Sequence, residues 1–106
     1  MVYVTQIPER RDPSTGRMAP MYDVSGARVF GDIVVLCPPQ ASQFPLDLLT
    51  TLRYQLRNYT SGDYVLLLGD PIAIAMTLRV IFEKGGVVQV LRWNRYTRSY
   101  VPVPIT

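Results

Sequence analysis

The sequence predicts an α/β domain, a small β-α-β-α-β-β unit of two or three layers whose sheet is mostly parallel with an antiparallel C-terminal edge strand. Three observations predict it. Two continuous apolar runs, Ile33-Val34-Val35-Leu36-Cys37 and Tyr64-Val65-Leu66-Leu67-Leu68, are each followed by a segment with helical periodicity. Strand–helix–strand alternation implies parallel pairing through right-handed crossovers. Near the C-terminus, Pro102 and Pro104 lie two residues apart, so their missing donors fall on one side of a strand, which only an edge strand tolerates. With 106 residues, 48% hydrophobic and 18% charged, the chain has the size and composition of one globular domain with a real core rather than a disordered segment.

Residues 1–29 read as an extended N-terminal arm laid on a single α/β domain of residues 30–106. Within the arm, Val2-Tyr3-Val4 can open a strand, Glu9-Arg10-Arg11-Asp12 reads as a solvated loop, and Pro13-Ser14-Thr15-Gly16 is a turn signal, compatible with one hairpin. The run 33–37, stopped by Pro38-Pro39, suits a strand buried on both faces. A helix follows over 44–59, with Pro45 in its first turn and Leu48, Leu49, Leu52, Leu56 and Tyr59 forming one apolar stripe. Ser61-Gly62 ends it.

The second buried strand covers 64–68. Gly69-Asp70-Pro71 then turns into a helix over 71–84, with Asp70 as N-cap, Pro71 at the first helical position and Gly85-Gly86 as the C-terminal stop. This helix is apolar almost all round, so it must be covered on more than one side, by the N-terminal arm or by another subunit. Homo-oligomerisation is one expectation that follows. A third strand over 87–93, a turn at Asn94-Arg95-Tyr96-Thr97 and a returning strand Ser99–Ile105 complete the domain. There is no internal repeat, low-complexity segment or linker.

The residue inventory argues against catalysis. Histidine is absent, which removes Ser-His-Asp triads, Cys-His dyads and histidine metal sites together. A single cysteine, Cys37, makes neither a disulfide framework nor a thiolate zinc site. The eight carboxylates are scattered, and neither G-x-G-x-x-G nor G-x-x-x-x-G-K-[ST] occurs. No catalytic, cofactor-binding or metal-binding residue is assigned, no cofactor is expected, and the protein is read as a non-enzyme. Cys37 and Asp70 were weighed because open α/β sheets bind ligands beyond the carboxyl ends of their strands. A phosphatase-like loop starting at Cys37 needs an arginine six residues later, where Gln43 stands, so Cys37 reads as a buried structural thiol. Asp70 reads as a helix cap rather than a metal or ribose ligand.

The net charge of +3 is too weak to name a nucleic-acid partner by itself. Ten of the eleven cations are arginine, with Lys84 the exception. A compositional trend of the source genome is the simpler account, and surfaces built for planar, bidentate contacts are the other. The most suggestive segment is residues 92–100, where Arg92, Arg95 and Arg98 interleave with Trp93, Tyr96 and Tyr100. Such a hairpin can contact phosphates and stack on bases, or can simply be a solvated hairpin with supporting Arg–aromatic pairs. Arg53 and Arg57, four apart on the first helix, either extend a basic face or face water. The most apolar stretch, 64–82, contains Asp70, Pro71 and Arg79, each central charge costing roughly 2.5–3.5 kcal/mol in a bilayer, so no membrane span is expected. No signal peptide is evident, and a cytoplasmic location is expected.

The run Leu66-Leu67-Leu68-Gly69-Asp70-Pro71, the segments Val90-Leu91-Arg92-Trp93-Asn94-Arg95 and Arg98-Ser99-Tyr100-Val101-Pro102, and the opening Met1-Val2-Tyr3-Val4-Thr5 with Arg10-Arg11-Asp12 and Thr15-Gly16, resemble small uncharacterised proteins of tailed bacteriophages. The resemblance implies a phage origin and a host-cytoplasmic setting, and brings no activity, cofactor or catalytic residue. The leading expectation is a non-enzymatic accessory protein acting through a protein partner or through itself. The second is a nucleic-acid-binding module using Arg92, Trp93, Arg95, Tyr96, Arg98 and Tyr100. A small enzyme centred on Cys37 or Asp70 is the third.

Overall fold

The computed structural model describes residues 1–39 and 45–106, with the backbone alone described at Pro45 and Leu46. Seven strands are formed: β1 (Val2–Gln6), β2 (Glu9–Arg11), β3 (Met18–Pro20), β4 (Ile33–Cys37), β5 (Tyr64–Leu66), β6 (Val88–Asn94) and β7 (Ser99–Ile105). The helices are α1 (Pro45–Gln55) and α2 (Pro71–Glu83), with a 3₁₀ segment at Ser25–Phe30. The main sheet has the order β4-β1-β5-β6-β7. Its first four strands are parallel, and β7 returns antiparallel along β6. The fold class is therefore the mixed α/β arrangement that the alternating pattern predicts, with β7 at the edge where its prolines require it.

The N-terminal segment corrects one expectation. Val2–Gln6 is not part of an arm laid over the domain but an inner strand of its sheet, hydrogen-bonded between β4 and β5. All five residues are buried, so Val-Tyr-Val serves both faces of the sheet at once. This displaces β4 to the outside. Expected to be buried on both faces, β4 leaves Val35 41% exposed, because its outer side has no strand partner. Residues 9–20 do form a hairpin, β2 pairing antiparallel with β3. The Glu9-Arg10-Arg11 stretch, expected as a loop, is the first strand of that hairpin.

Alternation along the strands sorts the core into two clusters. Tyr3, Val65 and Val88 face α1 and α2, and meet Leu48, Leu49, Leu52, Leu56, Ala73, Val80 and Ile81. Val2, Val4, Leu66 and Leu91 face the other way, onto Val24 and Ala27 of the 3₁₀ region. Both helices thus lie on one face and the β1–β4 connection on the other. Right-handed crossovers require this, since one connection steps from β1 outward to β4 and the next steps back across β1 to β5. The 3₁₀ segment, on the opposite face, therefore leaves α2 uncovered by the arm. The helix is covered by the sheet and by α1, with Ile72 and Phe82 left exposed.

Local chemistry fixes the element ends. The expected start of the first helix at Phe44 lies outside the described residues. Its expected end at Tyr59 moves back to Gln55, because the chain tightens there: Arg57 N–H bonds to Tyr54 C=O and Tyr59 N–H to Leu56 C=O, both three residues back. The leucine stripe survives, with Leu48, Leu49, Leu52, Leu56 and Tyr59 all buried. At the start of α2 the Asp70 carboxylate accepts from Ile72 N–H at 2.8 Å, with Pro71 at the first helical position. Gly85, at φ +77°, leads the chain out of the helix.

The strand expected over 64–68 stops at Leu66 for a specific reason. Leu68 N–H donates to the Thr5 hydroxyl at 2.7 Å, and that hydroxyl donates in turn to Leu68 C=O. A side chain of β1 thereby replaces the next rung of the ladder. The neighbouring Gln6, 4% exposed, works on both sides: its Nε2 donates to Pro38 C=O at 2.9 Å, and its Oε1 accepts from Asp70 N–H at 2.8 Å. Room for that amide exists only because residue 69 is glycine. A Cβ there would lie 2.3 Å from Gln6 Oε1 and 2.6 Å from Gln6 Cβ, at a φ of +91°.

Gly69→Ala is therefore expected to destabilise the protein by clearly more than the ~1–2 kcal/mol that left-handed backbone alone costs an L-residue. Gly85→Ala supplies the reference, since it has a similar positive φ and nothing within 4 Å of its added Cβ. Urea unfolding of both variants checks this, and equal losses would mean that the Gln6 contact contributes nothing.

Candidate functional site

The β6–β7 hairpin is in register from Val88↔Ile105 to Asn94↔Ser99, with a four-residue connection. Asn94 builds the turn by accepting from Tyr96 N–H at 2.9 Å and Thr97 N–H at 3.2 Å through its side-chain oxygen. Arg98 leaves the turn at φ +51°. Trp93 and Tyr100 are direct cross-strand partners, and their rings meet edge to face with centroids 5.0 Å apart. Arg95 lies over the Tyr96 ring at 5.2 Å and donates to its hydroxyl at 3.3 Å.

Arg92, Trp93, Arg95 and Tyr96 line one open groove of about 590 Å³, together with Asn94, Val101 and Val103. Four of the six residues singled out from the sequence thus come together. Tyr100 does not line the groove. It is half-buried on the 3₁₀ face, next to Gly26, where it packs edge to face against Trp93 on the same side of the hairpin. Arg98 is exposed at the turn exit, outside the groove lining. Sequence reasoning missed Asn94, Val101 and Val103. The last two carried a signal: they alternate with Pro102 and Pro104, which puts them on one face of β7.

Electrostatically the hairpin stands apart. Four of the eleven cations (Lys84, Arg92, Arg95 and Arg98) and none of the eight acids lie after residue 83, so this segment carries +4 and the rest of the chain −1. The ion pairs among the described residues are elsewhere: Arg53 and Arg79 with Glu83, and the N-terminal ammonium with Asp63. Trp93 is 50% and Tyr96 84% exposed. The arrangement offers exposed aromatic rings, unpaired guanidinium groups and an apolar floor on one surface.

The carboxyl ends of the parallel strands are built differently. The order β4-β1-β5 makes a topological switch point there, where open α/β sheets leave a crevice. In this chain the Gln6 amide spans it, taking up Asp70 N–H, while the Asp70 carboxylate is turned onto Ile72 N–H as a cap. Cys37 is buried, and burial pushes its thiol above the ordinary range, with the negative charge of Asp70 adding to the rise. Burial likewise raises Tyr59, with Asp63 contributing. Among the described residues no group of three or more His, Cys, Asp or Glu converges.

The fold and this surface together define a small mixed α/β protein with a protruding basic hairpin. Residues 1–106 match the family described as Phage Pam3 gp32-like protein, and the chain belongs to that family. It is thus a phage protein of a family of unknown function, in agreement with the resemblance seen in its sequence. No curated protein and no solved structure matches the chain. Among the described residues no helix is long and apolar enough to cross a membrane.

The raised Cys37 and Tyr59 values have a definite sign. Groups held protonated by the fold leave stability intact below their ordinary values and remove it as pH rises from those values through the raised ones. Unfolding free energy is expected to be flat across neutral pH and to fall from about pH 9 upward. Cys37→Ala should shallow the first part of that fall. In the native protein Cys37 should also react with a thiol reagent far more slowly than in urea; equal rates at neutral pH would contradict its burial.

Proposed function

We propose that this chain is a non-enzymatic phage accessory protein that acts in the host cytoplasm by binding another protein through the β6–β7 hairpin. The observation that carries the reading is the groove at the hairpin tip, lined by Arg92, Arg95 and Tyr96 together with the apolar Val101 and Val103, with Trp93 at its margin on the other face. Trp, Tyr and Arg are the residue types that dominate protein-interface energetics, because each combines a large rigid contact area with a polar end. Asn94 and the Trp93–Tyr100 pair hold the hairpin in shape before any partner arrives, which lowers the ordering cost of association.

The +4 charge of the segment favours an acidic partner surface, and it supports nucleic-acid binding as the second reading. Protein is preferred because the groove floor is aliphatic.

A photo-crosslinking residue placed at Tyr96 is expected to give a discrete protein adduct in infected cells. The same residue at Thr60 should not, and Arg92→Glu with Arg95→Glu should remove the adduct. Retention on DNA or RNA that falls steeply with salt and is lost in the same double variant, with no protein adduct, would establish the second reading instead.

A further inference from the structure

The helix layer covers only part of its face of the sheet. Glu83 pairs with Arg53 of α1 at 3.1 Å and with Arg79 at 3.5 Å, so Arg79 and Glu83 mark the flank of α2 that meets α1. Ala73, Thr77, Val80 and Ile81 mark its buried side. At about 100° per residue, Leu78 falls on the remaining flank, away from α1, and Phe82 on the outward side. On the sheet below, Val88 belongs to the core under the helices and pairs with Ile105, so the alternation places Ile105, Val103 and Val101 on that same face. They are only partly covered: Val101 is 41% and Ile105 39% exposed, and Val103 is half-buried. The result is an apolar strip along β7, a trough on the sheet beside the helix layer whose far end reaches the groove at Arg92 and Arg95.

We infer that this trough is a docking site for an acidic amphipathic helix of a partner protein, seated beside α2 as a third member of the helix layer. The inference rests on the hairpin-binding reading above and names the kind of segment that would be bound. Three observations select the occupant. First, an added strand is disfavoured. The outward-facing positions of β7 are Tyr100, Pro102 and Pro104, and two of those three lack the N–H that strand addition needs. A partner must therefore pack on the face of the hairpin, not its edge. Second, the trough has the length of a short helix. The seven residues of β7 extend about 23 Å, which a helix of about 16 residues matches, and α2 already shows that a helix packs on this face. Third, the charge is one-sided. Arg92, Arg95 and Arg98 meet no carboxylate among the described residues, so a helix with acidic residues beside its apolar stripe complements them. A second copy of this chain brings the same arginines to the same place and is disfavoured by like-charge repulsion.

Trp93 pairs with Tyr100 on the other face of the hairpin, so occupancy is read instead from the fluorescence anisotropy of a labelled peptide. The probe is a synthetic 16-residue peptide of high helix propensity, with Leu at i, i+3, i+4 and i+7 spacing and Glu flanking the stripe. A second peptide of identical composition has the stripe scrambled. The amphipathic peptide is expected to saturate its anisotropy signal with micromolar affinity and to shift backbone amide resonances of Leu78, Val101 and Val103. The scrambled peptide should bind at least about ten-fold more weakly, as should the first peptide to Val101→Glu, a change at an exposed position. Equal binding of the two peptides, shifts confined to residues 94–98, or no binding of either would overturn the helix assignment. A Tyr96 adduct that persists in such a case leaves the hairpin-binding reading standing, whereas loss of the adduct removes that reading as well. A mass near twice 12.0 kDa at micromolar concentration, with the same amides protected, would assign the trough to a second copy and overturn the inference.

Discussion

The structure turns on the last two residues of β1, Thr5 and Gln6. Thr5 and Gln6 are buried polar side chains at the point where the sheet changes direction, and burial obliges each to find partners. They find them on the neighbouring strands: Thr5 with Leu68, and Gln6 with Pro38 on one side and Asp70 on the other. Those bonds tie the exit of β4, the exit of β5 and the start of α2 to a single strand. Without them the ladder between β1 and β5 would end at Leu66 with the Leu68 N–H unpaired. Gly69 is subordinate to the same constraint, since any larger residue would occupy the space of the Gln6 amide.

This arrangement also shapes what the protein offers to others. An open α/β sheet commonly leaves its switch-point crevice free for a ligand, with helix N–H groups pointing into it. Here the N–H of Asp70 is already bonded to Gln6 and that of Ile72 to the Asp70 side chain. The polar groups that could receive a small ligand are spent on holding strands together. Three arginines that meet no carboxylate among the described residues, and two exposed aromatic rings, lie instead on the C-terminal hairpin.

The hairpin is rigid for local reasons and open for topological ones. Asn94 closes the turn, the Trp93–Tyr100 pair ties the strands just below it, and Tyr100 rests on the 3₁₀ segment. Yet β7 is the last strand of the sheet, and two helices spaced about 8–10 Å apart are too few to cover five strands at about 4.8 Å each. Val101, Val103 and Ile105 are therefore left with apolar side chains on a face with no third helix. The prolines that close the edge of β7 to another strand leave this face as its available surface.

Much of the architecture was legible in the sequence because its signals are local. Helical spacing fixed the leucine stripe of α1, the Asp70-Pro71 pair fixed the start of α2, and the spacing of Pro102 and Pro104 fixed β7 as an edge strand. The clustering of arginines and aromatics in residues 92–100 was visible too. What the tertiary structure decided depends on contacts between residues far apart in the chain. Val2–Gln6 is too short for its period to distinguish an inner strand from a covering arm, and only its pairing with both β4 and β5 settles the matter. The early end of β5 depends on a hydroxyl 63 residues away, which no local propensity encodes. In the same way, the division of the hairpin residues (Arg92 with Val101 and Val103 on one face, Trp93 with Tyr100 on the other) follows from strand alternation against a helix layer that stops short. Sequence determines which side chains alternate; only the packing of the layers decides which of the two faces is left open.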